Sequence, residues 1–267
     1  MRFTIEHLSK NYESKQVLRD IDFTFEAGKI YGLLGRNGAG KTTLFNCING
    51  DLRFDSGDFY FSGAQAGQSQ SGIPEEAGLP GEEPEGPKGH REEPEGPKRC
   101  RAKPEDIGYV LSTPTVPEFL TGREFLKFFL DIHEGDIQEP KAMDRYFEMM
   151  GIRPEDQNRL LKDYSHGMKN KMQMLINIIA QPNLLLLDEP LTSLDVVVAE
   201  EMKQLLRSLK RDRIIIVSTH IMDLALDLCD EIVLLNHGEL EKVDKSNLDS
   251  QAFKEKIIEA LREEKDD

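Results

Sequence analysis

A glycine-rich loop, GRNGAGKT at 35–42, constrains the fold of this chain more than any other feature. It follows an apolar run at 29–34 that predicts a strand, and it precedes a helical stretch at 41–48. Glycines let such a loop curl until successive backbone N–H groups point inward, and the following helix adds the positive end of its dipole. This order matches a phosphate-binding loop and predicts an α/β fold.

The end of this loop predicts contacts with a nucleoside triphosphate. We expect Lys41 to reach the β- and γ-phosphates, Thr42 to offer its hydroxyl to a magnesium ion, and Thr43 to hydrogen-bond an inner phosphate. The remaining loop residues predicted to contact the nucleotide are Gly35, Arg36, Asn37, Gly38, Ala39 and Gly40. The alternative is a glycine turn before a helix, but such a turn does not require Lys followed by Thr.

Two adjacent carboxylates follow a run of four leucines in LLLLDEP at 184–190. The run predicts a buried strand, so both acids are expected at the carboxyl edge of the sheet, where α/β proteins bind ligands. We expect Asp188 to hold magnesium through a water, and Glu189 to orient or deprotonate the water that attacks the γ-phosphate. Alone, such a pair is often a helix cap or a solvated turn. The phosphate loop favours the catalytic interpretation.

A histidine lies just past a predicted buried strand, in IVSTH at 216–220. A neutral imidazole at His220 can donate a hydrogen bond to a γ-phosphate oxygen. A single histidine near a strand end is usually a structural hydrogen-bonding group. The phosphate loop and the carboxylate pair favour the functional alternative.

The remaining pattern predicts a mixed architecture. The segments IDFTFEAG and GDFYFSG alternate apolar and polar side chains around glycine turns, which predicts antiparallel strands in the first sixty residues. Three further aliphatic runs predict buried strands, at 183–187, 214–217 and 231–235. Helices are predicted at 196–209 and 221–229, through most of 121–180, and in a C-terminal segment at 246–267 that ends in a charged tail.

The segment 63–104 differs from its flanks. It contains eight of the 21 glycines and seven of the 13 prolines, and EEPEGPKGHR at 82–91 is followed by the related EEPEGPKRCR. Few large apolar side chains occur there, so we expect a disordered insertion within a folded domain at 1–245. The PEGP units could alternatively form a polyproline-type docking site.

Charge and composition exclude several function classes. Lys plus Arg number 34 against 49 Asp plus Glu, and the net charge of −15 weighs against nucleic acid as the main ligand. The apolar runs are far shorter than the roughly 20 residues of a membrane-spanning helix, and the N-terminal residues do not resemble a secretory signal. Three scattered cysteines predict neither disulfides nor a zinc site. We therefore expect a chain that works in a reducing cytosol.

The order of motifs resembles the nucleotide-binding subunit of ATP-binding cassette (ABC) transporters, over nearly the whole chain outside the insertion. YSHGM at 164–168 lies where the family has its LSGGQ signature, some twenty residues before the carboxylate pair, and SLD at 193–195 follows. The signature variant is similar to those of exporter-type systems with separately encoded membrane subunits. The resemblance implies a P-loop NTPase core with a mixed sheet, an antiparallel β subdomain and an inserted helical subdomain.

The resemblance also implies that two such domains pair head to tail with ATP between them. Ser165 and Gly167 would then contact the γ-phosphate across the dimer, and Asp195 would link the two sites. Tyr12 matches the family residue that stacks on adenine, although it could instead pack on the sheet.

This sequence departs from the family pattern at several positions. The family's glutamine ligand for magnesium falls on Ser112, which is shorter and puts both metal contact and coupling in question. His166 and Met168 replace a glycine and a glutamine of the signature, and Val196 replaces a proline. We therefore expect slow ATP hydrolysis.

The predicted function is that of an ATPase subunit at the cytoplasmic face of the cell membrane. ATP binding would close a dimer on a transmembrane permease subunit, hydrolysis would release it, and transport would be export. One alternative is a soluble cassette ATPase in translation or chromosome maintenance, but such proteins normally have two cassettes or a long coiled-coil insertion. Another is a regulatory protein that binds ATP and hydrolyses little.

Three phenylalanines at helical spacing, Phe125, Phe128 and Phe129, lie where the family's helical subdomain meets the transporter. Core packing is the simpler interpretation for each ring. The alternative is that part of this cluster lines a groove for a short helix of the membrane subunit.

Overall fold

The computed structural model describes residues 1–13, 15–63, 99–135, 137, 142–192 and 194–243. Its strands are β1 Arg2–Tyr12, β2 Lys15–Glu26, β3 Ile30–Leu34, β4 Ser56–Ser62, β5 Arg99–Arg101, β6 Ile107–Val110, β7 Leu184–Asp188, β8 Ile214–Thr219, β9 Glu231–Asn236 and β10 Glu239–Val243. Its α-helices are α1 Lys41–Asn49, α2 Gly122–Ile132, α3 Met143–Met149, α4 Pro154–Gln157, α5 His166–Ile179, α6 Val196–Leu209 and α7 Met222–Leu228.

A six-stranded mixed sheet forms the centre, in the order β10-β9-β3-β8-β7-β6. All neighbouring pairs are parallel except β10 with β9. Strands β3, β7 and β8 are buried along their whole length, which explains their unbroken aliphatic character. Because these strands run in the same direction, the residues that follow them meet at one edge of the sheet.

The two faces of this sheet pack into two separate hydrophobic clusters. Along β7, Leu185 and Leu187 pack with the helices α2, α3 and α5, whereas Leu184 and Leu186 pack on the opposite face. That opposite face is covered by α1 and by a second, antiparallel sheet in the order β2-β1-β4-β5. The period-two alternation of side chains along each strand produces these layers.

The antiparallel sheet corrects the predicted boundary of the insertion at 63–104. Arg99–Arg101 forms the edge strand β5, in which Cys100 pairs with Phe61, and Pro104–Asp106 forms a short 3-10 turn. Pairing with β5 satisfies backbone groups along β4 that would otherwise be exposed. The three residues of β5 therefore form a strand although they have no apolar pattern. The folded chain therefore resumes by Arg99. The insertion at 64–98 and the predicted C-terminal helix at 246–267 lie outside the described residues.

The other elements follow the sequence pattern closely. The helix predicted at 196–209 has those bounds as α6, and the helix predicted at 221–229 is α7, shorter by a residue at each end. The predicted strands at 183–187 and 214–217 extend further, to Asp188 and Thr219. The region 121–180 is mainly helical, and α2 begins with a capping box in which Thr121 and Glu124 bond each other's backbone N–H.

Candidate functional site

The phosphate loop lies between the last residue of β3, Leu34, and the first residue of α1, Lys41. Gly40 has a φ of 105°, and a Cβ there would lie 2.9 Å from Val17 Cγ1 of β2. Glycine is therefore required both for the backbone conformation and for the close approach of β2. The antiparallel sheet thus packs directly on the loop.

Lys41 is 6% exposed, and its Nζ donates to the carbonyl oxygens of Gly35 at 2.7 Å and Arg36 at 3.1 Å. Burial lowers the pKa of this ammonium group, while the carboxylates of Glu189 and Asp188 partly oppose the shift. The side chain is therefore held across its own loop, at the N-terminus of α1.

Asp188 is 3% exposed and connects three elements of the central sheet edge. The hydroxyl of Thr42, on α1, donates to Oδ2 at 2.9 Å, and the hydroxyl of Ser218, on β8, donates to Oδ1. A buried carboxylate needs such donors, because an unpaired charge in this position would be strongly destabilising. Hydroxyl and carboxylate oxygens are also the ligands that magnesium prefers.

Glu189 lies one residue beyond β7 in a left-handed conformation, with a φ of 48°. Its backbone N–H donates to the Ser218 hydroxyl at 3.1 Å and to the Ser218 carbonyl at 3.2 Å. His220 Nδ1 lies 2.9 Å from Glu189 Oε1. The two residues predicted separately as catalytic are therefore hydrogen-bonded to each other.

A cavity of about 400 Å³ opens between the phosphate loop and the carboxylates. Its lining residues are Val17, Asn37, Gly38, Gly40, Lys41, Thr42, Thr43, Ser112, Asp188 and Glu189. Ser112, two residues beyond β6, is among these lining residues, and its contact with a metal ion stays a prediction in question. Val17 had no distinguishing sequence signal, because it resembles any other apolar residue of an alternating strand.

Tyr12 is not among the described residues that line the cavity. Its ring is 45% exposed, and Lys10 Nζ lies 5.2 Å from its centroid. Tyr12 is the last residue of β1 and pairs with Lys15 of β2, so packing on the sheet stays an alternative. Adenine stacking by Tyr12 stays a prediction.

Three residues predicted from the resemblance lie away from the cavity, on exposed helix termini. Ser165 caps α5 by accepting a hydrogen bond from Met168 N–H, and Gly167 lies in the first turn of that helix. Asp195 caps α6 by accepting from Val197 and Val198 N–H. Within a single chain these residues do not line the nucleotide cavity. Ser193 lies outside the described residues.

The phenylalanines of α2 separate into different environments. Phe125 is buried and Phe129 packs partly against the core, whereas Phe128 is 57% exposed. One turn later Ile132 is exposed as well. Core packing is confirmed for Phe125, and the exposed pair lies one helical turn apart on the surface.

Another set of possible metal ligands lies on the antiparallel sheet and consists of His7, Asp20 and Asp22. One potential ligand atom from each, a ring nitrogen or a carboxylate oxygen, lies within 4.8 Å of the other two. All three side chains are exposed, and Asp20 raises the pKa of His7 by a hydrogen bond. No local sequence pattern marks this group, because β1 and β2 bring it together across a hairpin with an irregular register. Exposed groups of this kind are common without a bound ion.

No α-helix among the described residues is long and apolar enough to cross a membrane.

The profile of the ABC transporter family matches residues 18–192 of this chain. The chain is 30% identical to the uncharacterised ABC transporter ATP-binding protein YdbJ of Bacillus subtilis, over 98% of this chain and 75% of that protein. It is 28% identical to the bacitracin transport ATP-binding protein BcrA of Bacillus licheniformis, with coverages of 87% and 66%.

Solved structures with the same fold include an ATP-binding subunit of an ABC transporter, with a TM-score of 0.71 at 20% identity. That match covers 97% of this chain and all of the other. Another is a dimeric ATP-binding cassette in a post-hydrolysis state bound to ADP and Pi, with a TM-score of 0.66 at 17% identity and coverages of 91% and 99%.

Proposed function

This chain belongs to the ABC transporter family as an ATP-binding subunit that hydrolyses ATP, and we propose that it drives export through a separate transmembrane subunit. The direction rests on the YSHGM signature, which is similar to those of exporter-type systems. The similarity to a bacitracin transport ATP-binding protein supports a role in transport. The chain would then lie at the cytoplasmic face of the membrane.

The observation that most supports this function is the convergence of Lys41, Asp188 and Glu189 on one cavity. The phosphates of ATP would lie at the N-terminus of α1, where backbone N–H groups from 36–43 and the Lys41 ammonium group offer positive charge. To contact a phosphate, Lys41 would exchange its hydrogen bonds to the Gly35 and Arg36 carbonyls for charge-assisted ones.

Thr42 and Asp188 fit a magnesium ion, because their oxygens lie together in the cavity and match its preference for hard ligands. A bound magnesium ion would reduce the negative charge of the β- and γ-phosphates. Thr42 would bind it directly, and Asp188, which accepts the hydrogen bond of the Thr42 hydroxyl, would hold it through a water. Ser112 lines the same cavity and is proposed as a neighbour of the metal.

Glu189 would orient the attacking water and accept its proton at Oε2, because Oε1 lies 2.9 Å from His220 Nδ1 whereas Oε2 has the longer contact, 3.5 Å from Thr192 Oγ1. This pairing also constrains His220. If Nδ1–H donates to the Glu189 carboxylate, Nε2 of the neutral ring carries no proton. Donation from His220 to a γ-phosphate oxygen would then require a protonated imidazole or a change of partner, so in this conformation the residue positions Glu189.

A second copy of the domain would complete the site. Ser165, Gly167 and Asp195 lie at exposed helix N-termini, where N–H groups and the helix dipole favour a phosphate. In a head-to-tail pair they would face the nucleotide held by the other chain. The second domain can be an identical or a related chain.

The exposed α2 pair, Phe128 and Ile132, would contact the transmembrane subunit. Apolar side chains one turn apart on an exposed helix suit an amphipathic helix of a partner. Phe129 would support this surface from the core side.

The decisive test is ATP turnover and ATP binding by the full chain, compared with its Glu189→Gln variant. The wild type should hydrolyse ATP slowly, and the variant should retain ATP binding while its kcat falls about 100-fold or more. Glu239→Gln is the control, because Glu239 is an exposed glutamate on β10 that is not among the residues lining the cavity. An unchanged kcat in Glu189→Gln would exclude the proposed mechanism.

Purification of the tagged chain from its native membranes in mild detergent tests the assembly. A stoichiometric multi-spanning partner would support the transporter role. Co-purification with ribosomes or nucleic acid would instead favour the soluble alternative.

A further inference from the structure

We propose that Asn170, on α5, is a positioning residue that holds the Glu189 carboxylate in place by bonding the adjacent Pro190 carbonyl. The inference rests on the proposed role of Glu189 in hydrolysis. Asn170 Nδ2 donates to Pro190 O at 3.2 Å, and the residue is 3% exposed. Asn170 is not among the residues that line the cavity.

Glu189 needs such support because its backbone is strained. A non-glycine residue with a φ of 48° lies in the sparsely populated left-handed region, which is energetically unfavourable. The following proline further restricts its conformation. A conformation of this kind persists only where several contacts hold it, so the groups bonded to this segment determine where the carboxylate points.

The contacts act on both sides of the strained residue. On its N-terminal side, Ser218 accepts the Glu189 N–H with both its hydroxyl and its carbonyl. On its C-terminal side, Thr192 Oγ1 donates to the Glu189 carbonyl at 3.0 Å, and Asn170 donates to the next carbonyl, that of Pro190. Asn170 is the contact that comes from α5, a separate element packed on the sheet.

The burial of the Asn170 amide is energetically unfavourable, and close packing alone would not require an amide at this position. Its Oδ1 is buried and finds no hydrogen-bond partner within the described part of the chain. An unsatisfied buried oxygen is destabilising, whereas an apolar side chain of similar size would not carry this penalty. Among the contacts of the described residues, the Nδ2 bond to Pro190 is the contribution that an apolar residue could not make.

Asn170 also joins two parts of the proposed mechanism. It lies five residues after Ser165, on the helix whose N-terminus is proposed to face the second nucleotide. A displacement of α5 would therefore be transmitted through this bond to the Pro190 carbonyl and hence to Glu189. This connection is a single hydrogen bond, from Asn170 on α5 to Pro190, the residue that follows Glu189.

The test is the kcat and KM of ATP hydrolysis by the full chain carrying Asn170→Leu, which keeps the approximate volume and removes the donor. We expect kcat to fall about 10- to 100-fold, because a small misplacement of a catalytic group has that effect. KM and the Kd for ATP should not change. The matched control is Asn177→Leu on the same helix, whose Nδ2 donates to Gln173 O of that helix; it should keep the wild-type kcat.

A double variant separates positioning from general loss of structure. In the Glu189→Gln background, Asn170→Leu should cause little further loss, because its effect acts through the carboxylate. Equal fold-losses in both backgrounds, or a wild-type kcat in Asn170→Leu, would overturn the inference. Glu189→Gln alone still tests the proposed function independently, so the two failures are distinguishable.

Asn170→Asp supplies a variant of nearly identical shape, should the leucine variant fail to fold. Its carboxyl can donate to Pro190 only when protonated, and burial raises the pKa of such a group. The ratio of its kcat to that of the wild type should therefore rise as the pH is lowered from 8.5 to 6. A ratio independent of pH and close to one would contradict the inference.

Discussion

The cavity edge of the central sheet and the exposed N-termini of α5 and α6 differ in how complete they are. At the cavity edge, Asp188 and Glu189 are hydrogen-bonded to groups from other elements of the same chain, and the buried Lys41 is hydrogen-bonded to carbonyls of its own loop. At the exposed helix ends, Ser165 and Asp195 accept only from the first turn of their own helices. The cavity half of the proposed site is therefore assembled within one chain, whereas the helix-end half would be completed by a second domain.

The difference follows from burial. A buried charge must find partners inside the fold, so Asp188 and Lys41 are positioned before any nucleotide binds. An exposed cap is satisfied by its own helix and by water, and nothing in the isolated chain directs it toward a phosphate. Substitutions at the two places should therefore have different kinds of effect.

The largest effect is expected for Lys41→Met. Removal of the ammonium group should weaken ATP binding by about 100-fold, because charge-assisted hydrogen bonds to phosphate are lost. Isothermal titration with ATP measures this. Lys242→Met is the control, since Lys242 is an exposed partner of Glu231 away from the cavity. Equal ATP affinities for Lys41→Met and the wild type would contradict the assembled cavity.

A smaller effect is expected for Asp195→Ala. The loss of both cap hydrogen bonds to Val197 and Val198 should lower the free energy of unfolding by about 1 kcal/mol. Urea denaturation measures this loss. Asp195→Asn retains a cap acceptor and should restore most of the stability.

The rate of ATP hydrolysis by the two Asp195 variants tests whether the helix ends act beyond their own chain. If Asp195→Asn is stable but hydrolyses ATP more slowly, Asp195 acts beyond its own helix, as a contact across a dimer requires. Wild-type turnover in both variants would leave only the cap role.

The smallest effect on the isolated chain is expected for Phe128→Glu. Because Phe128 is exposed, the free energy of unfolding of the variant should differ from that of the wild type by no more than about 0.5 kcal/mol. The ATP affinity of the variant should not change. Co-purification with the transmembrane subunit should nevertheless be lost. Lys127→Glu, on another side of α2, controls for added negative charge. Retained co-purification would remove Phe128 from the proposed contact surface.

The family, the fold class and the ATP-hydrolysing function predicted from the motif order are confirmed. The prediction succeeded where local pattern and burial agree, as in α6 and in the all-aliphatic strands. It failed at the end of the insertion, because β5 forms by pairing with an existing edge and has no apolar pattern. The roles of the individual site residues, inside and outside the cavity, stay predictions.

The order of residues determined which chemical groups this protein has and at which strand ends they occur, because a phosphate loop and a carboxylate pair each need only local sequence. The tertiary structure alone decided how those groups are held. Contacts between His220 and Glu189, Ser218 and Asp188, and Asn170 and Pro190 join residues 20 to 31 positions apart. Such pairings depend on how elements pack, and no local periodicity encodes them.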